Sequence, residues 1–218
     1  MKKKGFIFDL DGVIVDTAKY HYLAWKKLAN GIGIDFSEKQ NEQLKGVSRI
    51  KSLEKILSWA HKKIAEDQFM ELMGRKNDEY LSYISNMDES EILPSVTHVL
   101  EYLIRHKQPI ALGSASKNSK EILKKVNLYT KFNTIVDGND VTEAKPNPEV
   151  FLIAAERLHI EPENCIVFED SVAGIKAANT ANMISIGIGN KNTLYQAAYV
   201  FENFTAISDA FLQKLITQ

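Results

Sequence analysis

Apolar residues in this chain come in two rhythms, and the change between them falls near Ile92. Beyond that point short apolar runs alternate with amphipathic stretches, the pattern of a parallel sheet covered by helices on both faces. Strands are predicted at Pro109-Ile110-Ala111-Leu112, Thr134-Ile135-Val136, Cys165-Ile166-Val167-Phe168 and Ile184-Ser185-Ile186. Ser95 reads as the N-cap of a helix whose Val96, Val99, Leu100, Leu103 and Ile104 keep the spacing of one buried face. Further helices are predicted near Lys120–Val126, from Pro148 through Phe151, Ala154, Ala155 and Leu158, and at Ala173–Asn179.

Residues 18–91 carry helical periodicity and no convincing strand. Tyr20, Leu23, Ala24, Lys27 and Leu28 share one helical stripe. Ser37-Glu38-Lys39-Gln40 is a capping box, in which Ser37 and Gln40 satisfy each other's backbone donors. Ser48 heads a helix bearing Leu53, Ile56, Leu57 and Ala60, and a longer helix covers roughly Glu66–Ile84. One strand, Phe6–Asp9, precedes this block. An all-helical insert thus separates the first strand from the rest, and its two crossings, near Thr17 and near Ile92, make a natural hinge.

Composition narrows the function classes. Lys and Arg number 27 against 28 Asp and Glu, a net charge of −1, which excludes a polybasic nucleic-acid binder. With 44% hydrophobic and 25% charged residues the chain is globular in composition, not disordered. Cys165 is the single cysteine, so no internal disulfide forms, which fits a reducing compartment. The basic start is followed by Phe6-Ile7-Phe8 and then at once by Asp9, too short an apolar run for a signal peptide. No run approaches the roughly 20 apolar residues of a membrane span. The expectation is a cytoplasmic protein with neither membrane nor nucleic acid as partner.

Chemistry concentrates where predicted strands end. Phe8-Asp9-Leu10-Asp11-Gly12-Val13 runs an apolar strand into two acids and a glycine. In an open parallel sheet, ligands bind outside the carboxyl ends of the strands, where these acids sit. The second strand ends in Ser114-Ala115-Ser116-Lys117-Asn118, whose hydroxyls, backbone donors and lysine suit a phosphate. Lys145-Pro146 puts a cation just before a helix, and another strand ends in Glu169-Asp170. Taken singly, these are equally a turn, an N-cap loop, a solvated lysine and an acidic turn; in this order they mark one site. His61, His98, His106 and His159 lack metal-ligand spacing, and Gly187-Ile188-Gly189 lacks the third glycine of a dinucleotide fingerprint. Trp25 and Trp59 lie on helical patterns and read as core of the insert.

The succession Asp-x-Asp, Ser, Lys, Glu-Asp resembles that of the haloacid dehalogenase superfamily of phosphoryl-transfer enzymes, over the whole chain. The loop Leu44-Lys45-Gly46-Val47-Ser48-Arg49, Lys76-Asn77 and Ser116-Lys117-Asn118 make the likeness closer still to its hexose-phosphate mutases. The resemblance implies an α/β fold: a Rossmann-like parallel-sheet core from residues 1–17 and 92–218, with an inserted all-helical cap at 18–91. It implies a monomeric, magnesium-dependent isomerase acting on small sugar phosphates, which interconverts β-glucose 1-phosphate and glucose 6-phosphate through a bisphosphate. A sugar-phosphate phosphatase on the same scaffold is the alternative. By resemblance, Asp9 is the nucleophile, Asp11 the general acid and base, Ser114 a donor to the transferring phosphate and Lys145 a balancing cation. Magnesium is expected on Asp9, the Asp11 carbonyl and Asp170, with Glu169 direct or through water. Gly46, Val47, Ser48 and Arg49 of the cap, with Ser116, Lys117 and Asn118 of the core, are expected to hold the sugar phosphate, Arg49 and the core residues at its non-reacting phosphate. His21 and Lys76 are expected to sense the substrate and help bring Asp11 into place, with Thr17 near the hinge.

Overall fold

The computed structural model describes residues 3–217. Six parallel strands form one sheet in the order β3-β2-β1-β4-β5-β6. They are β1 (Gly5–Phe8), β2 (Ile110–Gly113), β3 (Thr134–Val136), β4 (Cys165–Glu169), β5 (Ile184–Ile188) and β6 (Tyr199–Phe201). The central strands are unbroken apolar runs because both of their faces are covered. Alternate residues go to opposite faces. Phe6, Phe8, Ile110, Leu112, Ile166 and Phe168 join one apolar cluster, while Ile7, Ala111, Cys165 and Val167 join another.

Helices α5 (Val96–Arg105), α6 (Ser119–Lys125) and α9 (Asp209–Thr217) cover the first face, through Leu100, Ile122 and Leu212 among others. Helices α7 (Glu149–Leu158) and α8 (Val172–Thr180) cover the second, through Phe151 and Ala177. Ser95 departs from its expected role. It sits at φ 63° and makes no side-chain bond to the helix end, so it turns the chain rather than capping it. Ile104, at the far end of the expected stripe, is 41% exposed. Strand β6 and helix α9 had no counterpart in the sequence reading: β6 is a three-residue edge strand, half-buried throughout, with too little pattern to show.

The insert supplies α1 (Ala18–Gly31), α2 (Glu38–Glu42), α3 (Arg49–Trp59) and α4 (Glu66–Ile84). The Ser37–Gln40 capping box forms, and Ser48 accepts from the Lys51 amide. Helix α1 buries Ala24, Trp25, Leu28 and Ala29, so its inner face is rotated from the expected stripe. Leu23 is 44% exposed, and Lys27 instead binds Glu79 of α4 at 2.6 Å. Trp25, Leu28, Phe36, Leu53, Ile56 and Leu72 form a core belonging to the insert alone. Tyr80 and Ile84 join the cluster on the sheet.

At the hinge the two crossings pair with each other. Val15 and Ile92 form an antiparallel bridge, and the Leu93 amide donates to the Ile14 carbonyl at 3.0 Å. The Glu91 carboxylate takes Lys19 at 2.8 Å and the Tyr20 hydroxyl at 2.5 Å. A movement of the cap must therefore bend both crossings together.

Candidate active site

Strand order reverses at β1, whose neighbours β2 and β4 lead away in opposite directions. That switch point is where a doubly wound sheet opens a crevice at its carboxyl edge. The pairing of Phe8 with Leu112 and Phe168 brings the chain beyond all three strands to one level. Asp9, Ser114 and Glu169-Asp170 therefore share that edge.

Lys145 enters from the loop before α7 and lies completely buried among them. Its Nζ donates to Asp9 Oδ1 and Glu169 Oε1, both at 2.6 Å, and to the Gly113 carbonyl at 3.0 Å. Burial opposes a charged lysine, yet Asp9 and Glu169 hold the ammonium above its ordinary range. Burial and the neighbouring acids push the Asp9 carboxyl up, while Lys145 pulls it back. Glu169 spends its other oxygen on the Ser171 amide and hydroxyl, each at 2.8 Å. Both Glu169 oxygens are thus engaged by protein donors, so the side chain braces Lys145 at the same edge where Asp170 stands.

Asp170 differs. Burial, then Glu169, raises its carboxyl to about 7, against the pull of Lys45. It packs on Gly12, where φ is +81° and a Cβ would stand 2.3 Å from Asp170 Oδ2, so no side chain fits there. Lys45 reaches it from the cap at 3.4 Å. Nothing in the sequence marked Lys45 for this contact, since the pair forms only when the cap lies on the sheet. Among the described residues no three acidic, histidine or cysteine side chains converge as a ready-made cation cage. The donor set nonetheless suits a hard divalent cation: Asp9, Asp170 and the Asp11 carbonyl offer oxygens only, and burial leaves their negative charge poorly compensated.

Asp11 is held by the Thr17 hydroxyl, which donates to Oδ1. Burial raises its carboxyl above the ordinary value. His21 Nε2 faces the same oxygen at 3.8 Å, and its Nδ1 lies 2.9 Å from Lys76 Nζ. Lys76 is a donor, so the imidazole proton sits on Nε2, towards Asp11. Burial, then the nearby Lys76 and Arg49 charges, hold His21 well below its usual value. Burial, with Arg49, lowers Lys76 to about 7. Arg49 opens α3 and is half-buried beside the same cluster.

On the core side, Ser114 Oγ accepts from the Ser116 amide at 3.1 Å, and Ser116 Oγ from the Asn118 amide at 3.3 Å. Lys117 is exposed, and its carbonyl accepts from Asn139 at 3.1 Å. Asn118 crosses to the cap, donating to Asn77 at 3.3 Å, a contact for which Asn77 had no role assigned. The cap loop seats at Gly46, where φ is +70° and a Cβ would lie 2.6 Å from Ser171 Oγ. Val47 continues that loop, while the Ser48 hydroxyl is committed to the helix end at Lys51. A cleft of about 340 Å³ adjoins the site, lined by Gly12, Asp16, Lys45, Asp170, Gly189 and Asn203 among others.

A family model described as haloacid dehalogenase-like hydrolase matches residues 3–182. The chain belongs to the haloacid dehalogenase-like family. Within that family it is 41% identical to the β-phosphoglucomutase of Bacillus subtilis, over 90% of this chain and 88% of that one. A crystal structure of β-phosphoglucomutase from Clostridium difficile superposes with a TM-score of 0.95 at 41% identity, covering 99% and 98% of the two chains. A phosphorylated carbohydrates phosphatase of Thermotoga maritima is 29% identical over 81% of each chain. As the family's shared layout requires, the α/β core holds a parallel sheet and the insert is helical. No helix among the described residues is long and apolar enough to cross a membrane.

Proposed function

We propose that this protein is a magnesium-dependent β-phosphoglucomutase, interconverting β-glucose 1-phosphate and glucose 6-phosphate by way of β-glucose 1,6-bisphosphate. One observation carries the reading. Over the buried Asp9–Lys145 pair lies a cap whose cations Arg49 and Lys76 have no carboxylate within ion-pair distance among the described residues. A phosphatase needs one phosphate site. A mutase needs a second that accepts either end of the sugar, and unpaired buried or half-buried cations opposite the nucleophile supply it.

Asp9 attacks phosphorus in line, the bond to the sugar oxygen breaks, and an aspartyl-phosphate forms. Asp11, whose carboxyl is raised by burial, gives its proton to the leaving sugar oxygen and takes one back from the opposite hydroxyl in the return step. Thr17 and His21 hold it in position. Ser114 and the backbone of the 114–118 loop hold the transferring phosphate, and Arg49 with Ser116, Lys117 and Asn118 grips the other. Asp9, Asp170 and the Asp11 carbonyl would hold magnesium, whose charge would offset the repulsion between the nucleophile and the anionic phosphate.

The test is a product assay. With magnesium and a trace of the bisphosphate, β-glucose 1-phosphate is expected to give glucose 6-phosphate, and Asp9→Asn to abolish turnover while keeping the far-ultraviolet dichroism of the parent. Free glucose and inorganic phosphate in equal amounts, without isomer, would move the assignment to a phosphatase.

A further inference from the structure

Strands β2 and β3 lie side by side, Gly113 opposite Val136, and the chain leaves both at the same edge of the sheet. Beyond β2 runs the 114–118 loop, assigned above to the two phosphates. Beyond β3 runs Asp137-Gly138-Asn139-Asp140, which no step of the mechanism uses. The second loop backs the first. The Gly138 amide donates to the Ser116 carbonyl at 3.2 Å, and Asn139 Nδ2 donates to the Lys117 carbonyl at 3.1 Å. The approach is so close that a Cβ on residue 138 would stand 2.4 Å from the Ala115 carbonyl oxygen.

A trans peptide is planar, so a carbonyl held on one side sends the next residue's N–H to the other. The Ser116 carbonyl faces Gly138, so the Lys117 amide points away from the 137–140 loop, and it has no acceptor among the described residues. The Lys117 carbonyl faces Asn139, so the Asn118 amide points away as well, and it meets Ser116 Oγ at 3.3 Å. That hydroxyl accepts from the protein and donates to nothing among the described residues, which leaves its proton for a ligand oxygen. The cap lies on the side that Asn118 reaches through Asn77. Asp137 in turn fixes the Asn139 side chain. It is fully buried, and its Oδ1 accepts from the Asn139 backbone amide at 2.9 Å and from Nδ2 at 3.0 Å. Both Nδ2 protons of Asn139 are therefore spent, and a flipped amide would set its oxygen against two acceptors.

We propose that Asn139 is a positioning residue for the non-reacting phosphate. It touches no substrate; through the Lys117 carbonyl it aims the Lys117–Asn118 peptide, which holds the Ser116 hydroxyl ready to donate. This rests on the reading of Ser116, Lys117 and Asn118 as the distal phosphate site.

Asn139 is exposed, so substitution there leaves the core untouched. Asn139→Ala deletes the donor, and Asn139→Asp keeps the shape but turns an acceptor toward the Lys117 carbonyl. The kcat/KM for isomerisation of β-glucose 1-phosphate is expected to fall about fivefold in Asn139→Ala, the effect of one hydrogen bond, and at least as far in Asn139→Asp. Phosphorylation of Asp9 by acetyl phosphate, which leaves the distal site empty, is expected within about twofold of the parent rate in both variants. An undiminished kcat/KM in either variant overturns the proposal. So do equal losses in the two rates, because the substitution would then have disturbed the whole loop. Calorimetric titration with glucose 6-phosphate separates this from the mutase reading. A parent that does not isomerise, with a Kd about fivefold below that of the variants, would leave Asn139 bracing the phosphate loop of a different enzyme. The same Kd in parent and variants would then overturn both.

Discussion

Lys145 carries the largest charge burden of any single residue here. It is buried with two carboxylates at 2.6 Å, and both would be left uncompensated in its absence. Removing one partner of a buried ionic cluster costs about 3–5 kcal/mol, far more than an exposed pair is worth. Lys145→Met is therefore expected to lower the unfolding free energy by that amount at neutral pH, as read from urea denaturation. Asp9, whose carboxyl is already raised by burial, would respond by taking up a proton, so the loss should shrink at pH 5 relative to pH 8. A loss below about 1 kcal/mol would mean that Asp9 is already neutral in the native protein. Glu169 illustrates a limit at this scale. Its place beside Asp170 suggests a metal ligand, and that its oxygens also meet Lys145 and Ser171 depends on where those residues stand in the fold.

Among the elements, the cap loop and the start of α3 decide the kind of phosphotransfer. Ser48 terminates the loop, and Arg49 occupies the first turn, where the helix dipole disfavours a cation. An anion is the natural partner for it. Arg49→Ala removes charge-assisted bonds worth about 1.5–3 kcal/mol each, so isomerisation is expected to fall at least about a hundredfold. Phosphorylation of Asp9 by acetyl phosphate, which has no distal phosphate, should fall much less. Equal losses in the two rates would remove Arg49 from the distal site. The capping box at Ser37 and the strand ends were legible because they are local. The inner face of α1 was not, since Leu23 and Trp25 are both large and apolar, and only the packing partner α4 chooses between them.

For the molecule as a whole, the cap's position on the sheet sets the charge state of the site. Lys76 is drawn down to about 7 first by burial and then by Arg49, and neither acts on an isolated helix. Above pH 7 a sugar phosphate is already close to its dianion, so the enzyme's cation is the group that changes. The KM for β-glucose 1-phosphate is expected to rise from pH 7 to pH 9 as Lys76 loses its proton. Lys76→Arg, charged throughout, should flatten that rise. The sign for stability is opposite. A lysine whose folded pKa lies below its unfolded value destabilises the fold where it must be charged, so this group's contribution improves as pH rises through 7. A KM rise of the same size in Lys76→Arg would show that another group titrates.

What the chain's own pattern determined is the parallel α/β core, the helical insert and the succession of polar residues behind the strands. Parallel strands all end at one edge, so residues that follow them must meet whatever the details of packing. Hydrophobic period is a local property and survives being read in one dimension. Tertiary structure alone decided the rest: that β6 and α9 complete the sheet and its cover, that Lys45 meets Asp170 and Asn77 meets Asn118, and that His21, Trp25, Lys76 and Tyr80 close on one another. Each of these joins segments far apart in sequence across the cap–core or helix–helix boundary. The energy of such a contact depends on burial and on the partner's position, and neither is written at the residue itself.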